Sequence, residues 1–257
     1  MSPSAYGLTG RTAFVTGAAS GIGRAGAVLL ARAGMNLHPA NPHLADRDEP
    51  GLEETAAPIA REGGTVHPRP LDVTDCRVLA VAVGAAGTPH VRAAAAGICT
   101  STVLETREED LGRVLAVNFK GVLHACQEAA RSMISSGTRG PIVTMPRARW
   151  TPRVPACSAT ASPSRPPSSP PRRSRSRRAR TASGSTRSPG WIRAPLTDRH
   201  EPAAQERAEA AMVRHAPLRR VGEPEDIAHA VRTLACDASS FTTGQIPRPN
   251  GGVAMPW

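Results

Sequence analysis

A doubly wound parallel α/β sheet, built as one domain over residues 1–257, is the fold this sequence predicts. Three observations predict it. An apolar run, Thr12-Ala13-Phe14-Val15, leads into Thr16-Gly17-Ala18-Ala19-Ser20-Gly21-Ile22-Gly23, and an Ala/Leu-rich helix from Arg24 to Ala33 follows. Short apolar runs then alternate with helical patterns up to residue 144 and again after residue 188. A hydrophobic content of 40% in 257 residues is enough for one buried core, which with 3% aromatics has to be made of Ala, Val, Leu and Ile.

Strand, glycine turn and helix in that order make a candidate dinucleotide site. Gly17 permits the tight turn, Gly21 lets the backbone approach a pyrophosphate, and Gly23 lets the helix pack on the sheet. Ser20 to Gly23 stand at the helix start, where unpaired N–H groups and the positive dipole end suit phosphate oxygens. The alternative is an ordinary glycine-rich turn; the matching flanks favour the nucleotide.

Met35-Asn36-Leu37 begins a second strand that His38 to His43, with two prolines, interrupts. Leu44 to Asp48 then reads as the strand end. Asp46, 23 residues after Gly23, is the candidate for the adenosine ribose hydroxyls; it would repel a 2′-phosphate and favour NAD over NADP, the alternative being a solvated acidic turn. Gly51 to Glu62 reads as a helix, Val66 to Leu71 as the third strand, Cys76 to Ala86 as a helix and His90 to Ala96 as the fourth strand, running into Gly97. Glu108 to Asn118, continued to Ser132, reads as one long helix with Leu111, Val114, Leu115 and Asn118 on one side. That places Asn118 toward the core, where a polar side chain needs a partner or a task. Gly140 to Thr144 is the fifth strand. Further on, Glu201 to His215 is a charged helix, and Glu223-Pro224-Glu225-Asp226 opens a helix running to Leu234. Thr243 to Ile246 begins a last strand, turned by Asn250-Gly251-Gly252, for about seven strands in all.

The five cysteines are scattered, with no C-x-x-C pair, and the eight histidines do not cluster. Reduced thiols in a cytoplasmic protein are expected, without a disulfide frame or a metal site. No basic start with an apolar run and no membrane-length apolar stretch is present, so neither a leader nor a membrane role is expected. The net charge of +11 comes from one place: residues 147–187 carry eleven arginines and no acid, and the remaining 21 Lys and Arg equal the 21 Asp and Glu. Residues 145–187 also lose all hydrophobic periodicity and are dominated by Arg, Pro and Ser.

With these residues in place the chain resembles the short-chain dehydrogenase/reductases, single-domain Rossmann-type NAD(P)-dependent enzymes. Thr16 to Gly23 resembles their T-G-x-x-x-G-I-G. Leu71-Asp72-Val73-Thr74-Asp75 is similar to the segment whose Asp contacts the adenine, and Val117-Asn118-Phe119-Lys120-Gly121 to the segment whose Asn holds a water in the proton relay. Pro189-Gly190, with Ile192 after it, resembles the motif beside the nicotinamide. Arg219 to Asp226 and Thr243 to Gly252 resemble the family's two C-terminal motifs. The resemblance covers roughly 1–144 and 188–257. It implies hydride transfer between a nicotinamide and a small carbonyl or secondary alcohol, of the 3-oxoacyl reductase or the sugar/alcohol type. It assigns the cofactor site to Gly17, Ser20, Gly21, Ile22, Gly23, Asp46, Asp72, Val73, Gly97, Pro189, Gly190 and Ile192.

The departures bear on mechanism. Ala94-Ala95-Ala96-Gly97 stands where the family has N-N-A-G. The family's catalytic Tyr and Lys lie one helical turn apart, the Lys lowering the phenol pKa, and a Ser holds the substrate oxygen. Here the only Tyr is Tyr6 and the only Lys is Lys120, and all three catalytic positions fall inside the tract. The resemblance therefore leaves Asn118 as the only catalytic candidate and implies an impaired enzyme or a catalytically dead nucleotide binder. It also puts the family homotetramer in doubt, since the tract replaces a helix that packs between subunits.

The tract reads as if displaced by one base. Ala182 to Ser188 can be encoded by nucleotides that, taken one base back, read Gly-Ile-Arg-Val-Asn-Ala-Val, the family's strand before Pro-Gly. Ser164 to Ser169 can be the displaced form of Lys-Ala-Ala-Val-Val, the start of the catalytic helix. A Tyr codon across Ala159 and Thr160 falls one place too far from that Lys, which leaves the Tyr open. A disordered insertion is one alternative. Nucleic-acid binding through Arg172 to Arg178 is another, although no aromatic residue there offers a stacking platform.

Overall fold

The computed structural model describes residues 7–35, 44–86, 91–94, 107–145, 184–185, 192–193, 195 and 202–253. Six parallel strands form one sheet in the order β3-β2-β1-β4-β5-β6. They are β1 (Ala13–Thr16), β2 (Leu44–Asp46), β3 (Pro68–Pro70), β4 (Val91–Ala94), β5 (Ile142–Thr144) and β6 (Gly184–Ser185). Helices α1 (Gly21–Arg32), α2 (Glu49–Arg61), α3 (Cys76–Ala85), α4 (Glu108–Leu115), α5 (Val122–Ser136), α6 (Pro202–His215) and α7 (Pro224–Ala235) accompany them.

All four residues of β1 are buried, as a strand covered on both faces requires. Ala13 and Val15 pack into one cluster with Leu30 of α1 and Val231 and Leu234 of α7. Phe14 packs into a second cluster with Leu71, Leu79, Ala82 and Val83. This alternation puts α1 and α7 on one face and α3 on the other. The chain runs outward from β1 to β3, then returns to β4 on the far side of β1, which opens a crevice beyond the strand ends between β1 and β4. The glycine turn leaves β1 at that crevice.

Helix starts follow local chemistry. The Asp48 carboxylate accepts from Gly51 N–H at the start of α2, and Asp75 accepts from Arg77 and Val78 N–H at the start of α3. At α7, Asp226 reaches back to accept from Glu223 N–H at 2.9 Å and meets Arg220 at 2.6 and 2.7 Å. The Arg220 hydrogen bond comes first among the causes that hold the Asp226 carboxyl down at about 2, against an ordinary 3.8. A depressed carboxylate stabilises the fold above its unfolded pKa, and that contribution is lost as pH falls through the folded value. Asp226→Asn is therefore expected to cost about 1 kcal/mol near neutral pH. It also removes part of the fall in melting temperature between pH 3.8 and about 2. Parallel melting curves of both proteins across that range check this.

Two expectations are corrected. The long helix from Glu108 runs unbroken but is not α-helical throughout: α4 passes into a π-helical segment, Ala116–Gly121, before α5, which runs on to Ser136 and stops at Gly137 (φ +69°). Within it Val114 is fully buried, whereas Leu115, one residue and about 100° further round, is 37% exposed. The second correction is the seventh strand: Thr243 to Ile246 forms none. Gly244 sits at φ +67°, which breaks an extended run, and the β6 edge beside which such a strand would lie is two residues long. Asn250 to Gly252 does turn, the Asn250 side chain accepting from Gly252 N–H. Among the described residues no helix is long and apolar enough to cross a membrane.

Candidate functional site

The glycine turn is gripped at two successive residues, Ala18 and Ala19. Ala18 N–H donates to the Ala45 carbonyl of β2 at 3.3 Å. The Ala18 carbonyl lies 2.9 Å from the Thr55 hydroxyl, which is equally close to the Gly51 carbonyl and serves both with one proton. Thr55 is fully buried, so this hydroxyl has no water to fall back on. Ala19 N–H donates to Asp46 at 3.2 Å. The Ala19 carbonyl accepts from the Arg24 guanidinium, whose Nε stands at 3.1 Å.

Glycine is required here for steric reasons. Gly17 and Gly21 have φ of +68° and +52°, in the region other residues avoid. A Cβ on Gly23 would fall 1.8 Å from the Gly17 carbonyl oxygen. The first intrahelical bond of α1 runs from Arg24 N–H to the Ser20 carbonyl. The N–H groups of Gly21, Ile22 and Gly23 therefore come before the helix ladder, and the exposed Ser20 makes no side-chain cap bond. Such a donor set suits a pyrophosphate.

Asp46 ends β2 half-buried. Its second carboxylate oxygen accepts from Arg47 N–H at 2.7 Å and Asp48 N–H at 3.2 Å. Asp72 follows β3 with its carboxylate on Thr74 N–H at 2.8 Å. That backbone bond, ahead of the nearby Arg47 charge, holds its carboxyl below the ordinary value. Val73 is buried against Gly121: a Cβ on Gly121 would meet Val73 Cγ2 at 2.9 Å, so the π segment lies hard against the loop after β3. Asn118 stands in that segment, half-buried rather than in the core. Ile192 forms a parallel bridge with Gly222, and Arg193 ties the same stretch to Glu209 and Glu223. Gly97, Pro189 and Gly190 lie outside the described residues, as does most of the tract. An open cleft of about 390 Å³ lies between α3 and α5, lined by residues such as Val83, Glu128 and Ser132, none of them in the turn.

Sequence reading missed Arg24 and Thr55. Each acts on a turn carbonyl from a helix position, and no motif spacing marks that use.

A family profile described as short chain dehydrogenase matches residues 11–146, and one described as enoyl-(acyl carrier protein) reductase matches residues 186–254. The chain is 30% identical over 254 residues to the Rickettsia conorii 3-oxoacyl-[acyl-carrier-protein] reductase FabG, covering 96% of this chain and 98% of that protein. It is 39% identical over 136 residues to the Mycobacterium tuberculosis oxidoreductase EphD, spanning 22% of that longer protein's length. A short-chain type dehydrogenase/reductase structure from Mycobacterium marinum superimposes with a TM-score of 0.78 at 27% identity, covering 97% of each chain. A Beutenbergia cavernae structure described with bound NADP does so at 0.77 and 26% identity, covering 96% of this chain and 97% of that one. With these likenesses spanning both sides of the tract, around the same strand order and glycine turn, the chain belongs to the short-chain dehydrogenase/reductase family.

Proposed function

We propose that this chain binds a nicotinamide dinucleotide at the glycine turn and derives from a reductase of small carbonyl compounds, but lacks the groups that complete turnover. The pyrophosphate lies on Gly17 and Ser20 to Gly23, the adenosine ribose on Asp46 and the adenine beside Asp72 and Val73. By the family resemblance, Gly97, Pro189, Gly190 and Ile192 would serve the nicotinamide end. The observation that carries this is the turn itself, with Ala18 and Ala19 anchored and three helix-start N–H groups ahead of the ladder. The fixed charge of Asp46 favours NAD over NADP. When bound, the dinucleotide supplies the hydride donor or acceptor. Among the chain's own residues, Asn118 holds a water of the proton relay. No tyrosine or lysine is present to move the proton at the substrate oxygen, since Tyr6 and Lys120 are the only ones in the sequence. A 3-oxoacyl thioester is the substrate class favoured by the FabG likeness. NADH fluorescence titration tests the binding: saturation with no NADH consumption on a 3-oxoacyl thioester is expected, and absence of saturable binding overturns the reading.

The tract supports a second, compatible reading, that its coding sequence is displaced by one base. Both profile matches stop at its edges, at 146 and 186. The backbone at Gly184–Ser185 pairs parallel to Val143 and Thr144, the position where the displaced frame reads Arg-Val-Asn of a β-strand. A different codon choice gives the catalytic spacing but gives up the Lys-Ala-Ala-Val-Val reading from Ser164: with Pro163 as CCA and Ser164 as AGC, a Lys codon falls across those two residues, four places after the Tyr codon across Ala159 and Thr160. The codons of Pro166, Pro167, Ser168, Ser169, Ser174 and Ser176 then yield Ala, Val or Leu, an apolar pattern fit for a packed helix. Intact mass of the protein purified from its native host decides this: a mass equal to that of the present sequence overturns it.

A further inference from the structure

We propose that Arg24 is a positioning residue for the dinucleotide, locking the glycine turn to the first turn of α2. This rests on the nucleotide-binding reading above. Arg24 follows Gly23 directly, and its guanidinium turns back along α1 onto the Ala19 carbonyl, with Nε at 3.1 Å and Nη2 also in contact. The same Nη2 lies 3.3 Å from the Gly51 carbonyl and 2.8 Å from Glu54. One planar group therefore joins the turn to two residues of α2. The two elements also pack closely at the same place: a Cβ on Gly51 would meet Ala19 Cβ and the Ala19 carbonyl oxygen, each at 2.9 Å. Thr55 joins the same turn of α2 to Ala18.

The consequence reaches both ends of the adenosine diphosphate moiety. Ala19 joins two peptide planes: its N–H, in the plane shared with Ala18, holds Asp46, and its carbonyl, in the plane shared with Ser20, holds Arg24. Without Arg24 the Ala19–Ser20 plane is free to rotate, which would move the phosphate donors of Ser20 to Gly23 and, through the Ala19 backbone, loosen the neighbouring plane that holds the ribose carboxylate. A lysine cannot replace the arginine, because its ammonium ends one bond short of the Nη2 position and has no Nε–H to make the second contact with the Ala19 carbonyl.

The fold supplies an internal control. Arg32 and Glu62 also join α1 to α2, at 2.6 Å, but far along both helices from the turn. An ion pair that merely ties the helices together would behave alike at both places. The test compares wild type, Arg24→Ala, Arg24→Lys and Arg32→Ala by NADH titration and by hydrogen–deuterium exchange of residues 17–23 without ligand. The expected result is a roughly tenfold weaker NADH affinity for both Arg24 variants, equivalent to about 1.4 kcal/mol, with faster exchange in the turn. Arg32→Ala is expected to match wild type in both. Rescue by lysine, or equal effects of Arg24→Ala and Arg32→Ala, would overturn the proposal. Should wild type fail to bind NADH, the nucleotide reading falls, while the exchange comparison still decides whether Arg24 holds the turn.

Discussion

Gly23→Ala is expected to abolish saturable NADH binding and to lower the melting temperature. The added methyl would lie 1.8 Å from the Gly17 carbonyl oxygen, 2.6 Å from its carbon and 3.2 Å from Ala18 N. These are backbone atoms of the turn, and they can retreat only by opening it. Alanine gains about 1 kcal/mol of helix propensity over glycine, whereas overpacking a rigid site costs about 1–3 kcal/mol or more, so the clash wins. Gly26→Ala, one helical turn on, has nothing within 4 Å of the new methyl. It is expected to keep NADH affinity and to gain up to about 1 kcal/mol. Thermal melts and titrations of the two variants side by side check the contrast, and wild-type affinity in Gly23→Ala would sink it.

On the proposed displaced-frame reading, rebuilding that frame is expected to raise turnover well above that of the present chain. The rebuilt gene regains one base at codon 159 and returns to the present frame at codon 188. It replaces residues 159–188, which hold eight of the tract's eleven arginines, by an apolar helical sequence carrying the Tyr and Lys. A positioned general acid contributes about 10²–10⁴-fold in rate. A second gain follows from composition. An apolar helical sequence at these positions carries more surface to bury than an Arg/Pro/Ser sequence, so the rebuilt protein should also melt higher. NADH consumption on a 3-oxoacyl thioester, read beside the melting curve, checks both. An inert rebuilt protein would remove the displaced frame as the explanation of the missing acid.

The glycine turn was legible because its constraint is local: positive φ and a Cβ clash are properties of a few adjacent residues. Asp48, Asp75 and the start of α7 were legible for the same reason, since a cap and its N–H lie two or three residues apart. The π segment between α4 and α5 was not legible, because it keeps the apolar pattern of a helix and adds only a local shift of phase. The last strand failed because a strand exists only with an edge to pair on, and that edge lies in β6, far away in sequence.

The order of motifs along the chain thus determined the family and pointed to a candidate nucleotide site after β1, while the same sequence holds one tyrosine, Tyr6, and one lysine, Lys120, which do not stand at the family's Y-x-x-x-K spacing. The tertiary structure alone decided how the turn is held. The partners of Ala18 and Ala19 include Ala45, Asp46 and Thr55, 27 to 37 residues away from the groups they bind. Chain closure brings them together around backbone atoms that are the same in every residue, so no sequence pattern records the contact.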